Sequence, residues 1–391
     1  MTTANKYLQL LRTACFGMNA DVDWDSTELQ EILRLSQIHG TGPLIYNELL
    51  KTPLEPEMKL QMKQVCMHNM LLQGEWERII EKVWQCLSKD GIYAVLMKGF
   101  AYAHWYPLPY LRMWGDLDVW VGPEQYHRAC GLLREAFPEA KHHDEEWDEL
   151  KHYCFVFPDG KSIELHRVSM DFLNSMDQAY WCQLEEDAVL QLRERPEACS
   201  LEVGSVRVPV FEPKFDLLFC FMHSWEHFCG TGIPLKQVCD IVLLMRKLHM
   251  GSDPACSFTK TEAYLEKHLR ALGMLEVWRS YGYMVCRAMD MPFEDWPLGV
   301  DDTYGERLYK QVLMEGQCRP KDYGEASDRY EARENARRTN VFARKLLTLR
   351  GRIDKARFMY RFAPRYARYV LWQEIRKGIR RTIKREEMIN Y

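Results

Sequence analysis

The segment Gly115-Asp116-Leu117-Asp118-Val119-Trp120-Val121 constrains this chain more than any other. Its apolar residues predict a buried β-strand, on which Asp116 and Asp118 project from one face while Leu117 and Val119 project from the other. Two carboxylates side by side in an apolar strand repel each other and lose hydration unless a cation neutralises them. Mg²⁺ is the usual partner, because it takes one or two carboxylates and keeps its other positions for water and phosphate. The pattern points to phosphoryl- or nucleotidyl-transfer chemistry. An isolated Asp-x-Asp is more often found on an exposed turn, but the apolar neighbours here argue against a turn.

The pattern on either side is helical, and its period changes in the middle. Residues 1–88 carry amphipathic helical stripes such as Leu29, Ile32 and Leu33, with Asp25-Ser26-Thr27 suited to capping one of them. Ile92 to Met97 reads as a short strand closed by Lys98-Gly99, and Glu124 to Phe137 as a helix. Tyr153–Phe157 and Ser162–Val168 form a hairpin around Pro158-Asp159-Gly160, and Leu201–Val210 a smaller one. Helical pattern returns over 214–229, 234–249, 259–289 with a break, 303–315, and 328–385 with a break at Pro364. This order predicts an α+β fold, with a small mixed sheet between N-terminal and C-terminal helical regions. The corresponding domains are 1–88 (helical), 89–212 (the α/β core), 213–327 (helical) and 328–391 (a basic helical tail).

A third carboxylate strengthens the acidic pair. In Ser162-Ile163-Glu164-Leu165-His166 the alternation places Glu164 and His166 on one face. If this strand lies beside 116–121, Glu164 joins Asp116 and Asp118. The aspartates are then suited to hold Mg²⁺, or Mn²⁺, against triphosphate oxygens. Glu164 is suited to a second ion and to deprotonating an attacking hydroxyl.

The segments Leu96-Met97-Lys98-Gly99-Phe100-Ala101, Tyr106-Pro107-Leu108-Pro109-Tyr110-Leu111-Arg112 and Gly115-Asp116-Leu117-Asp118-Val119 resemble the uncharacterised bacterial nucleotidyltransferase family of the DNA polymerase β-like superfamily. His39-Gly40 and the stretch His223 to Asp240 resemble it as well. The resemblance implies a mixed-sheet nucleotidyltransferase core, with Asp116, Asp118 and Glu164 as catalytic metal ligands and a nucleoside triphosphate as substrate. It implies transfer of an NMP group to a hydroxyl or phosphate acceptor that the sequence does not identify. The wider superfamily has Gly-Ser or Gly-Gly ahead of its aspartates where this chain has Lys98-Gly99. Lys98 and Arg112 are therefore the residues expected, with Gly99, to contact phosphate, as a point charge and a planar fork. A structural ion pair with the aspartates is the competing role for both. His166, His223, His227 and Asp240 are expected at the substrate cleft.

Two rival signals remain. His223-Ser224-Trp225-Glu226-His227 matches H-x-x-E-H and sets two imidazoles on one helical face, so a zinc hydrolase is one alternative. A non-catalytic binding or scaffold protein on the same fold is the other. The formal net charge of −4 conceals an asymmetry, for Lys and Arg outnumber Asp and Glu roughly threefold over 329–391. With its interleaved aromatics, that tail suits an anionic membrane surface, a nucleic acid, or the acidic remainder of the chain. The 13 scattered cysteines without C-x-x-C suit reduced thiols. No apolar run is long enough for a transmembrane segment. A cytoplasmic protein, or one peripheral to the inner face of the membrane, is the expectation.

Overall fold

A computed structural model describes residues 2–18, 22–142, 151–172, 174–197, 199–229, 232–250, 258–316, 360 and 362–364. The chain is α+β and divides into two compact units. The first comprises residues Met1–Asp171, Ala179–Ser224 and Pro234–Thr261, and the second Phe172–Gln178, Trp225–Ile233 and Glu262–Tyr391.

Four helices open the first unit: α1 (Thr3–Phe16), α2 (Ser26–Ile38), α3 (Gly42–Leu49) and α4 (Pro56–Lys89). Asp25 caps α2 through a reciprocal capping box with Glu28, satisfying amides that would otherwise be orphaned. The sheet follows, with β1 (Val95–Met97), the short helix α5 (Gly99–Ala103), β2 (Asp116–Trp120) and α6 (Tyr126–Ala136). Next come β3 (Lys141–His142), β4 (His152–Val156) and β5 (Ser162–His166). Beyond α7 (Ser175–Glu194) lie the hairpin strands β6 (Ser200–Val203) and β7 (Val206–Pro209), then α8 (Pro213–Cys229) and α9 (Leu235–Met250).

The main sheet has the order β1-β2-β5-β4-β3, in which β2 and β5 are parallel and the other neighbours antiparallel. One face carries Leu96, Leu117, Val119, Tyr153, Phe155, Ile163 and Leu165, all buried, and packs on the helical side with α6. The opposite face carries the polar residues. The strand expected over 92–97 is shorter than its apolar run, because the Tyr93 N–H donates to the Gln125 side chain and not to a neighbouring strand.

The second unit contains most of α10 (Phe258–Leu272), together with α11 (Leu275–Met289) and α12 (Asp302–Glu315). The expected break within 259–289 falls at Gly273, whose positive φ ends α10. The α11 and α12 helices pack against each other, and the Trp278 indole donates to the Pro297 carbonyl oxygen at 2.8 Å. The basic tail expected to be helical over 328–385, and its anionic partners, lie almost wholly outside the described residues. No helix among the described residues is long and apolar enough to cross a membrane.

Candidate active site

The register of β2 and β5 sets Asp116 beside Ser162, Asp118 beside Glu164 and Trp120 beside His166. Because paired residues share a face, both aspartates and Glu164 project from the polar side of the sheet. On the other side of β5, β4 places His152 opposite His166 and Cys154 opposite Glu164. The loop entering β2 is clamped by aromatic packing: Trp114 lies 4.9 Å from Trp76 and 5.4 Å, edge-on, from Phe100, centroid to centroid. That clamp fixes where β2 starts and so where Asp116 points.

Asp118 is the most enclosed of the three carboxylates. Its Oδ1 accepts from Lys98 Nζ at 2.8 Å and faces His166 Nε2 at 2.9 Å. Burial alone would raise its pKa, but the Lys98 ammonium and the His166 imidazole outweigh burial and hold it well below the usual carboxylate range. Burial likewise opposes the charge on Lys98; Asp118, then Asp116 and Glu164, reverse that and keep it protonated above the usual lysine range. Asp116 moves the other way. Burial and repulsion from Asp118 raise it, with Lys98 and Lys236 offsetting part of the rise. Burial also works to raise Glu164, but the His166 imidazole holds it below the usual range.

Lys98 reaches Asp118 from an unusual backbone. It sits between β1 and α5 at φ 50° and ψ −147°, a region that a residue with a Cβ rarely adopts. Gly99 follows, and a Cβ there would meet the Asp116 carbonyl oxygen at 3.4 Å. The Lys98-Gly99 pair thus turns the chain sharply while keeping β2 close.

The other expected residues divide between this face and other parts of the fold. Arg112 is committed elsewhere: its Nε and Nη2 donate to both Asp240 carboxylate oxygens, at 3.0 and 2.6 Å, and its Nη1 to the Met113 carbonyl oxygen. The Tyr106 hydroxyl also donates to Asp240, and both members of the ion pair are nearly fully buried. Arg112 and Asp240 therefore form a strut in the core, and the arginine's carboxylate partner is Asp240, not the Asp116–Asp118 pair. His166 is buried at the centre of the polar face. His223 lies on α8 in the first unit with its ring 6.0 Å from Phe219, while Glu226 and His227 on the same helix belong to the second.

Two residues that the sequence reading did not single out belong to this site. His152 Nε2 lies 3.7 Å from Glu164 Oε1, and burial beside His166 pushes its pKa down to about 4. Lys236 acts on Asp116 from the first turn of α9, whose start is fixed by His39. The Leu235 N–H donates to His39 Nδ1 at 3.2 Å, and the fully buried His39 ring stacks on Tyr7. Gly40 has φ 63°, and a Cβ there would press on Lys236 Cδ at 2.9 Å. His39-Gly40 and the Pro234-Leu235-Lys236 segment are thus one tertiary unit.

The trio of carboxylates shares a face, but its oxygens are not the tightest cluster. Among the described residues, the group whose potential ligand atoms all lie within 4.8 Å of one another is His152, Glu164 and His166. The face therefore combines hard oxygen donors, two imidazoles and a captive ammonium. Such a set suits cation and phosphate chemistry.

Residues 25–275 match the model of a family described as an uncharacterised nucleotidyltransferase. No curated protein matches the chain. Among solved structures, the chain is similar to an antigenic nucleotidyltransferase-like protein from Paracoccidioides brasiliensis. The two are 16% identical over 50% of this chain and 87% of that one, with a TM-score of 0.30.

Proposed function

This chain belongs to the uncharacterised nucleotidyltransferase family, and from that premise we propose that it transfers the NMP group of a nucleoside triphosphate to a hydroxyl or phosphate acceptor. The observation that carries the reading is the register of β2 and β5, which sets Asp116, Asp118 and Glu164 on one face with Lys98 against Asp118. These carboxylates fit a hard divalent cation, because oxygen donors are what Mg²⁺ takes and the face concentrates negative charge. Asp116, Asp118 and Glu164 are the residues that would hold it. A divalent cation held by these residues would supply positive charge against the triphosphate and the leaving pyrophosphate.

The chain's own groups have distinct tasks. Lys98 neutralises Asp118 and is the ammonium that would be offered to phosphate. Its raised pKa keeps it charged across the physiological range. The carboxylate of Glu164, held ionised beside His166, is the group placed to accept a proton from an acceptor hydroxyl. Lys236 supports charge on Asp116, which burial would otherwise oppose.

The test is a screen of α-labelled nucleoside triphosphates with Mg²⁺ against pools of small molecules, glycans, protein and RNA. Label transfer is expected with the natural chain, and a loss of at least ~10²-fold in Asp116→Asn and in Asp118→Asn. Transfer that persists in both variants would place the chemistry elsewhere.

A further inference from the structure

His152 has no task in the reaction above and His166 only keeps Asp118 and Glu164 ionised there, yet the geometry of the two imidazoles is specific. Glu164 Oε1 lies 3.7 Å from His152 Nε2, and Glu164 Oε2 lies 3.5 Å from His166 Nε2. Both separations exceed those of an ordinary N–H···O hydrogen bond, ~2.7–3.2 Å. The 3.5 Å separation falls at, and the 3.7 Å separation just beyond, the ~3.3–3.5 Å between neighbouring ligand atoms when each lies ~2.0–2.1 Å from a tetrahedral zinc ion, with the two oxygens of Glu164 each turned to one ring. All three ligand atoms lie within 4.8 Å of one another, so closure onto one ion requires only small side-chain movements.

The second nitrogen of His166 agrees with this arrangement. His166 Nδ1 faces the Val168 carbonyl oxygen at 3.4 Å, which turns Nε2 toward the carboxylates of Asp118 and Glu164, at 2.9 and 3.5 Å. His152 Nδ1 is buried with no hydrogen-bond partner among the described residues, so Nε2 is the atom of that ring that faces a polar group, Glu164. The scaffold is rigid as well. Glu164 and His166 alternate on β5, and His152 is locked opposite His166 by the antiparallel ladder of β4.

We propose that His152, Glu164 and His166 form a zinc site with an open fourth position, bordering Asp118, whose Oδ1 contact with His166 Nε2 at 2.9 Å gives way when the ion binds. Two nitrogens and one carboxylate are a donor set for Zn²⁺ with a free coordination position. Imidazole donors select such an ion over Mg²⁺, which takes oxygen. The site shares Glu164 with the transferase reading but can be tested without nucleotide.

The experiment uses the full chain, stripped with a chelator, reloaded with Zn²⁺ and dialysed against a ~100-fold excess of Mg²⁺. Metal analysis should return one zinc per chain, and zinc-edge X-ray absorption should count two imidazoles in its coordination sphere. His152→Gln, at a half-exposed position, should lower zinc affinity at least ~10-fold and remove one imidazole from the count. Asp116→Asn should change neither. Circular dichroism checks the fold of each variant. Zinc displaced by Mg²⁺, zinc without imidazole ligands, or zinc retained unchanged in His152→Gln would each overturn the site. If label transfer fails while zinc binds as described, the transferase reading falls and the zinc site stands.

Discussion

Lys98 concentrates more physical consequence than any other residue of the site. Its backbone is held at positive φ, which costs a residue with a Cβ of order 1–3 kcal/mol, and its ammonium is the partner of a buried carboxylate. Lys98→Ala and Lys98→Gly both remove that partner, yet glycine tolerates the backbone and alanine does not. Lys98→Gly should therefore unfold at higher denaturant than Lys98→Ala, by about 1 kcal/mol, the reverse of the usual order at these substitutions. Equal midpoints would mean that the backbone there is not constrained. Asp116, Asp118 and Glu164 could be read from the sequence because each is polar at an alternating position inside an apolar strand. His152 could not, for the apolar run of its strand reads from Tyr153 and the register that sets it opposite His166 exists only in the folded sheet. Lys236 was hidden for a similar reason, being distant in sequence from the Asp116 it acts on.

At the scale of elements, the first turn of α9 links the helical N-terminal region to the acidic face. His39 fills the end of α2, stacks on Tyr7 from α1 and accepts the Leu235 N–H, so one buried ring joins three helices. Replacing it by alanine leaves that amide buried without its partner, which costs ~1–3 kcal/mol, and opens a cavity beside Tyr7. His39→Ala should lower the urea midpoint accordingly and weaken nucleotide transfer by releasing Lys236. A loss below ~0.5 kcal/mol would mean that the ring does not fix α9. Short strands bounded by turn residues were readable here: β2, β5 and the β6–β7 hairpin lie within a residue or two of their apolar runs. The α7 helix was not singled out. Its buried stripe of Trp181, Leu184, Ala188 and Leu192 includes the charged Glu185 and leaves Leu190 exposed, which blurs the helical period. Glu185 is tolerated because Trp120, Trp181 and the Ser169 backbone N–H all donate to it.

For the whole molecule, buried acids set how stability responds to pH, and they pull in opposite directions. Asp118 and Glu164 are held below the ordinary carboxylate range in the folded chain, so their contribution is present above the unfolded values of ~4 and is lost as pH falls through the folded ones. Asp216 does the opposite. Buried in the first unit, it accepts the Tyr102 hydroxyl at 3.2 Å, and burial pushes its pKa up to about 8. Burial raises Glu185 too. Between the unfolded value of ~4 and the folded value near 8, the native chain keeps the Asp216 proton while the unfolded chain has released it. Fewer protons on the unfolded state means stability declines as pH rises, by at most ~1.4 kcal/mol per pH unit for this one group. The slope vanishes below ~4, where both states are protonated, and above ~8, where both are ionised. Stability should therefore peak near pH 5 and fall toward pH 8, in contrast to a chain whose buried acids are all salt-bridged. Asp216→Asn keeps an acceptor for Tyr102 and cannot ionise, so it should flatten the decline and exceed the natural chain in urea midpoint at pH 8. At pH 5 the two should nearly coincide. A variant with the natural slope would show that Asp216 titrates normally, and the decline would then belong to other groups.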